Sequence, residues 1–180
     1  MTRAAIHRRP REAGYSFVEV IMSVALLGGI LLSVAGVFAI GSQSVKSGRE
    51  MTKAVAIANT AVEQALAWPY ELVYSFPGGA ASDSTASWDT AKAYPAWGNV
   101  SAEDAADFTE VAGSWKARVE SELQDGIVTF AVTGLGHLPV PGNPGIDAFE
   151  DAHFARVSIT VEWTENGSRH RQVRVDELVL

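Results

Sequence analysis

The apolar residues change rhythm along this chain. From Val20 to Ile40 there are 21 consecutive residues without a charge. At about 1.5 Å per helical residue they reach roughly 31 Å, close to a hydrocarbon core of about 30 Å. Gly41-Ser42-Gln43-Ser44 follows, where a span would leave the membrane. Beyond it the apolar positions become one-sided. Ala54, Ile57, Ala58, Ala61, Val62, Ala65 and Leu66 fall on one helical face, with Arg49, Lys53, Asn59 and Gln64 largely off it. Pro69 marks the expected end. The pattern predicts one long helix, apolar all round over 15–40 and amphipathic over 41–69.

Residues 70–114 form a connecting region rich in Ala, Ser, Asp and Gly, with Trp88, Tyr94, Trp97 and Phe108 scattered through it. A loop of that length without elements of its own is uncommon. Short helical or strand pieces are expected there, the aromatics serving as core plugs rather than interface anchors. Period-two alternation then predicts an antiparallel sheet over 115–180. Its expected strands are Trp115–Leu123, Ile127–Thr133, Ala155–Trp163 and Gln172–Leu180. Asp125-Gly126 and Asn166-Gly167 supply the hairpin turns. Val157, Ile159, Val161 and Trp163 share one face, and Val173 and Val175 point inward. Asp176-Glu177 interrupts the alternation before Leu178 and Leu180, which predicts a bulge or strand end. The expected fold class is α+β: one long helix whose apolar stripe covers a sheet of about four antiparallel strands.

Charge adds direction. Met1–Gly14 holds Arg3, Arg8, Arg9 and Arg11 against Glu12, so a chain of net −7 has a basic leader of +3 and a remainder of −10. Basic residues before an apolar span keep that end in the cytoplasm. A remainder of −10 is a poor nucleic-acid surface, since phosphate neutralisation needs clustered Lys and Arg. No direct nucleic-acid partner is expected. The late basic group Arg169, His170, Arg171 and Arg174 reads as a solvated strand face.

Candidate chemistry is sparse. Without cysteine there is no disulfide, thiolate nucleophile or Cys-ligated metal. Neither a Gly-x-Ser-x-Gly elbow, a P-loop nor a His-Glu-x-x-His helix is present, so no catalytic residue is assigned and the chain is not expected to be an enzyme. His137 and His153 lie in or beside a loop with Asp147, Glu150 and Asp151, whose spacing matches no standard ligand pattern. A polar connecting loop is the expectation over a calcium loop, and no cofactor is assigned. Ser101 with Asp104 could cap a helix carrying Glu103, Asp107 and Glu110 on a solvated acidic face.

One acid stands out. Glu19 sits at the mouth of the apolar run, where a carboxylate is costly without a partner. Gly14-Tyr15-Ser16-Phe17-Val18-Glu19 and the apolar helix after it resemble the class III signal of type IV pilins and pseudopilins. The resemblance covers about the first fifth of the chain. It implies that a prepilin peptidase cuts between Gly14 and Tyr15 and methylates the new N-terminus at Tyr15, where the family usually has Phe. It places Glu19 on the acid thought to pair with a neighbouring subunit's N-terminal amine, a group of pKa about 7.7–8.0. Implied partners are other pilin or pseudopilin subunits, the peptidase, an inner-membrane assembly platform and membrane lipid. The implied location is the bacterial inner membrane, single-pass with an extracytoplasmic C-terminal domain, and then a pilus or pseudopilus. Family members also use a helix-breaking residue here to let the segment extend, a role open to Gly28, Gly29 and Gly36. Many pilins close a C-terminal loop with a disulfide, so a cysteine-free chain is more similar to a minor pilin or pseudopilin. Ser16–Gly29, with Val-Glu-Val in place of the commoner Leu-Glu, together with the strand Ala155–Trp163, its polar turn and the terminal strand, resembles minor subunits of the pilus modification protein V and secretion pseudopilin I type.

Two other readings of the same residues stay open. A basic leader and apolar core ending in Val37-Phe38-Ala39 also describe a secretory signal peptide, although its apolar core is usually 7–15 residues. A plain single-span anchor explains the length of the run but not the Gly14–Glu19 arrangement. Either would leave an exported or anchored binding domain outside any filament.

Overall fold

The computed structural model describes residues 16–95, 100–136, 145–165 and 167–180. The chain divides into two compact units, one up to Val45 and the other Lys46–Leu180.

A single helix, α1 (Phe17–Leu66), carries the long apolar run and enters the second unit. Within that unit its stripe is buried as expected: Ala54, Ile57, Ala58, Ala61, Val62 and Ala65 are at most 4% exposed. Leu66, expected to join them, is 41% exposed because the helix ends at that residue. Pro69 then stands at the N-terminal cap of a short helix, α2 (Tyr70–Ser75).

The sheet has four antiparallel strands in the order β1 (Thr85–Asp89), β2 (Ile127–Leu135), β3 (Phe154–Glu165) and β4 (Arg169–Val179). The α+β class and strand count agree with the sequence reading, but the first strand does not. Residues 115–123 belong to the helix α3 (Ala102–Glu122) and its C-cap Leu123, and β1 comes from the connecting region instead. The confusion has a physical source. Trp115 and Val119 are four apart, a spacing that fits both a period of two and a period of 3.6. Phe108, Ala112, Trp115 and Val119 form the buried face of α3, which settles the period as helical. Asp125-Gly126 accordingly joins a helix to a strand, with Asp125 at φ +51°.

Phe130, Val157, Ile159 and Val161, all fully buried, form the centre of the inner sheet face. Trp68 meets Phe76, Phe108, Trp115 and Phe130 at ring separations of 4.6 to 6.0 Å, tying helices to sheet. Trp88 and Phe108 are core residues, as expected, whereas Tyr94 is 40% exposed and Trp97 lies outside the described residues. Thr129, Thr133, Ser158 and Thr160 lie on the outer face, giving the one-sided character of an antiparallel sheet.

The expected bulge at Asp176-Glu177 is absent. Pairing between β3 and β4 runs unbroken from Glu165↔Arg169 to Ala155↔Val179. Val173, Val175, Glu177 and Val179 share one face, and at an open sheet edge Glu177 can stay solvated there. Leu178 accordingly points to the outer face and is 46% exposed.

Candidate functional site

Gly14 and Tyr15 lie outside the described residues. Glu19 is described. It stands in the first turn of α1, where the N–H groups of Glu19 and Val20 both donate to the Ser16 carbonyl at 2.9 and 3.2 Å. An acid in a first turn is favoured by the helix dipole, by roughly 0.3–1 kcal/mol. Glu19 forms no ion pair among the described residues, and its side chain is open to its surroundings.

Every residue from Ser16 to Lys46 is exposed. The most apolar 18-residue window of α1 has a mean hydropathy of 2.4, with none of it buried. Among the described residues one helix, near the N-terminus, is therefore long and apolar enough to span a membrane. Serine hydroxyls along it bond back to the helix backbone. Ser23 and Ser33 donate to the carbonyls of Glu19 and Gly29 at 2.8 and 2.9 Å, and Ser44 to that of Ile40 at 3.1 Å. Such back-bonding hides hydroxyls that an apolar medium could not solvate. Glu19 shares one side of the helix with Val20, Ser23, Val24 and Leu27, so the acid lies beside an apolar surface. A Cβ added at Gly28, Gly29 or Gly36 would meet nothing within 4 Å.

The second charged site was not legible in the sequence. The Glu165 carboxylate, 6% exposed, is held below the usual carboxylate range by a hydrogen bond from Ser47 of α1 and then by Arg171 at 2.9 Å. Arg169 stands 4.0 Å away. Sequence alone puts all four late basic residues on one solvated strand face; the register of the final strand brings Arg169 and Arg171 to the Glu165 side. Arg174 is on the opposite sheet face. Burial works against the Asp176 carboxylate there, but hydrogen bonds from Ser158 and Arg174 keep its pKa low.

The remaining candidates are structural. The Ser101 hydroxyl caps α3 by accepting from the Asp104 N–H at 3.1 Å, with Glu103 and Asp104 in the first turn. The loop with Asp147, Glu150, Asp151 and His153 is pinned by its backbone. Phe149 N–H donates to the Asp83 carbonyl at 2.7 Å and His153 N–H to that of Leu135 at 3.0 Å. Among the described residues no three His, Asp or Glu gather as a metal site; His137 lies outside them. No protein-family model, characterised protein or solved structure matches the chain.

Proposed function

We propose that the chain is a minor pilin or pseudopilin, a structural subunit assembled into, or priming, a type IV pilus or type II secretion pseudopilus. The observation that carries this reading is Glu19 in the first turn of a wholly exposed apolar helix, one that runs on unbroken into the layer covering an antiparallel sheet. Gly14 and the basic leader stand in register before it. Prepilin peptidase removes the leader after Gly14 and methylates Tyr15. The subunit waits in the inner membrane with Lys46–Leu180 on the extracytoplasmic side until an assembly platform extrudes it. Glu19 then aligns with a neighbour's N-terminal amine, and Val20–Ile40 joins the filament's apolar core. The role is structural, without a catalytic step.

The test is the N-terminal residue and intact mass of the protein taken from its native membrane. A methylated chain beginning at Tyr15 is expected. A start at Ile40 would make the segment a secretory signal peptide, and an uncut chain would leave a single-span anchor. Either result overturns the proposal.

A further inference from the structure

The basic residues of the second unit are not evenly spread. The Thr164 N–H donates to the Gln124 carbonyl at 2.9 Å and Lys53 reaches the Glu122 carbonyl at 3.5 Å, so the tip of the β3–β4 hairpin and the start of α1 within that unit both stand at the C-terminal end of α3. Arg169, His170 and Arg171 come with the hairpin tip. Lys46 and Arg49, both exposed, lie on the helix at the same level. Seen down the axis, at 3.6 residues per turn, Arg49 is on the side of α1 away from Ser47, so positive charge stands on both flanks of the helix. Most acids at this end are engaged. Glu165 is held by Ser47 and Arg171, Glu50 lies 3.7 Å from Lys46, and Glu122 lies 3.2 Å from Arg118. Asp125 and the exposed Glu162, opposite Gln172 in the hairpin, form no ion pair among the described residues.

The opposite end has the reverse character. Helix α3 runs antiparallel to α1, because Lys53 meets Glu122 whereas Trp68 meets Phe108. Its first turns, with Glu103, Asp104, Asp107 and Glu110, therefore stand at the far end. Asp83 and Glu150 lie at that end too, since the Tyr70 hydroxyl, just past α1, donates to the Phe149 carbonyl at 3.2 Å and the Phe149 N–H to the Asp83 carbonyl at 2.7 Å. A unit that belongs to a strongly acidic chain thus turns its positive charge toward the point where α1 enters it.

We infer that this basic end is a contact surface for the phosphate headgroups of anionic phospholipid, made by Lys46, Arg49, Arg169 and His170 around the entry of α1. Chain connectivity identifies the occupant. Lys46 follows Ile40 by six residues, which span at most roughly 20–22 Å even when extended. The headgroup layer is itself about 5–7 Å thick, and surface charge acts over a Debye length of about 10 Å at 0.1 M salt. A protein partner would meet one side of α1, whereas a lipid surface meets the whole circumference of a helix that leaves it. The inference rests on the membrane-anchored part of the proposed function. It adds that the folded unit is held down on the bilayer by charge before it is extracted.

The absence of native cysteine allows a clean probe. Ser168→Cys, at the exposed hairpin tip, would carry a nitroxide in the full-length protein, and Ser82→Cys at the far end would serve as control. Both would be reconstituted in vesicles of phosphatidylcholine alone or with phosphatidylglycerol. In anionic vesicles the label at 168 should lose accessibility to a water-soluble relaxation agent. The label at 82 should not change, and high salt should reverse the effect. Arg49→Gln with Arg169→Gln should abolish it; these substitutions leave the Arg171–Glu165 pair in place. Protein that floats with both vesicles but shows no composition-dependent change overturns the inference and spares the anchor. Protein that floats with neither overturns both. Protection in neutral vesicles that grows with protein density would assign the surface to an acidic face of a neighbouring copy instead.

Discussion

At the scale of single residues, two positions carry constraints that their neighbours do not. Glu165 is a nearly buried acid held ionised by Ser47 and Arg171. Its folded pKa lies below the unfolded value of about 4.3, so its contribution to stability is fully present above that value and is lost as pH falls through the folded pKa. Glu165→Gln should therefore lower Tm at pH 7, and the difference from the native protein should shrink on acidification below pH ~4. Thermal unfolding of both proteins across that range checks the sign; a gap that widens at low pH would mean the carboxylate is not held ionised. Gly126 is constrained by space. A Cβ there would lie 2.6 Å from Val119 Cγ2 and 2.8 Å from the Val119 carbonyl oxygen, so Gly126→Ala must push α3 and β2 apart. Overpacking of this kind costs about 1–3 kcal/mol, measurable as a loss in denaturant midpoint.

At the scale of elements, legibility followed the amount of periodic signal. The long helix, β3 and the β3–β4 hairpin were readable because each repeats one period over many residues. The first strand was not. Thr85–Asp89 buries only Trp88 fully and half-buries Ala86, too short a pattern to stand out from a loop. Helix α3 is ambiguous in its second half because Trp115, Ala117, Val119 and Leu123 also satisfy alternation, and the Ser101 cap marks where the helix starts but not where it ends. The cap gives a direct check. Ser101→Ala removes the acceptor for Asp104 N–H and should cost about 1 kcal/mol. An unchanged Tm would mean that tertiary packing alone fixes the start of α3. The glycines of α1 make the opposite case. Alanine at Gly28, Gly29 and Gly36 meets no atom in the subunit and should strengthen the helix by up to about 1 kcal/mol at each position. If assembly requires that segment to loosen, the triple variant should remain folded and anchored yet enter filaments poorly. Normal filament yield would remove the glycines from the mechanism.

On the scale of the whole molecule, the proposed assembly role falls in a different part of the chain from the folded core. The buried core begins at Ala54, while Glu19 and the apolar run contribute nothing to it. The sequence could single out Glu19 because an acid is expensive beside a membrane span; it could not supply the surroundings of that acid, which forms no ion pair among the described residues. This separation makes Glu19→Gln informative. A charged side chain costs about 2.5–3.5 kcal/mol at the centre of a membrane helix and less at its edge, so the neutral amide should insert at least as readily as the acid. The variant should therefore float with membranes and unfold at the native temperature. Under the pilin reading it should still be cut after Gly14, yet be lost from sheared filaments or fail to support the secretion that the machine performs. If the amide enters filaments normally, the negative charge is not what aligns subunits, and the first-turn acid is left with its dipole role alone. If the amide falls out while anchoring and Tm are unchanged, the loss lies between subunits, because Glu19 forms no ion pair among the described residues that the change could have removed.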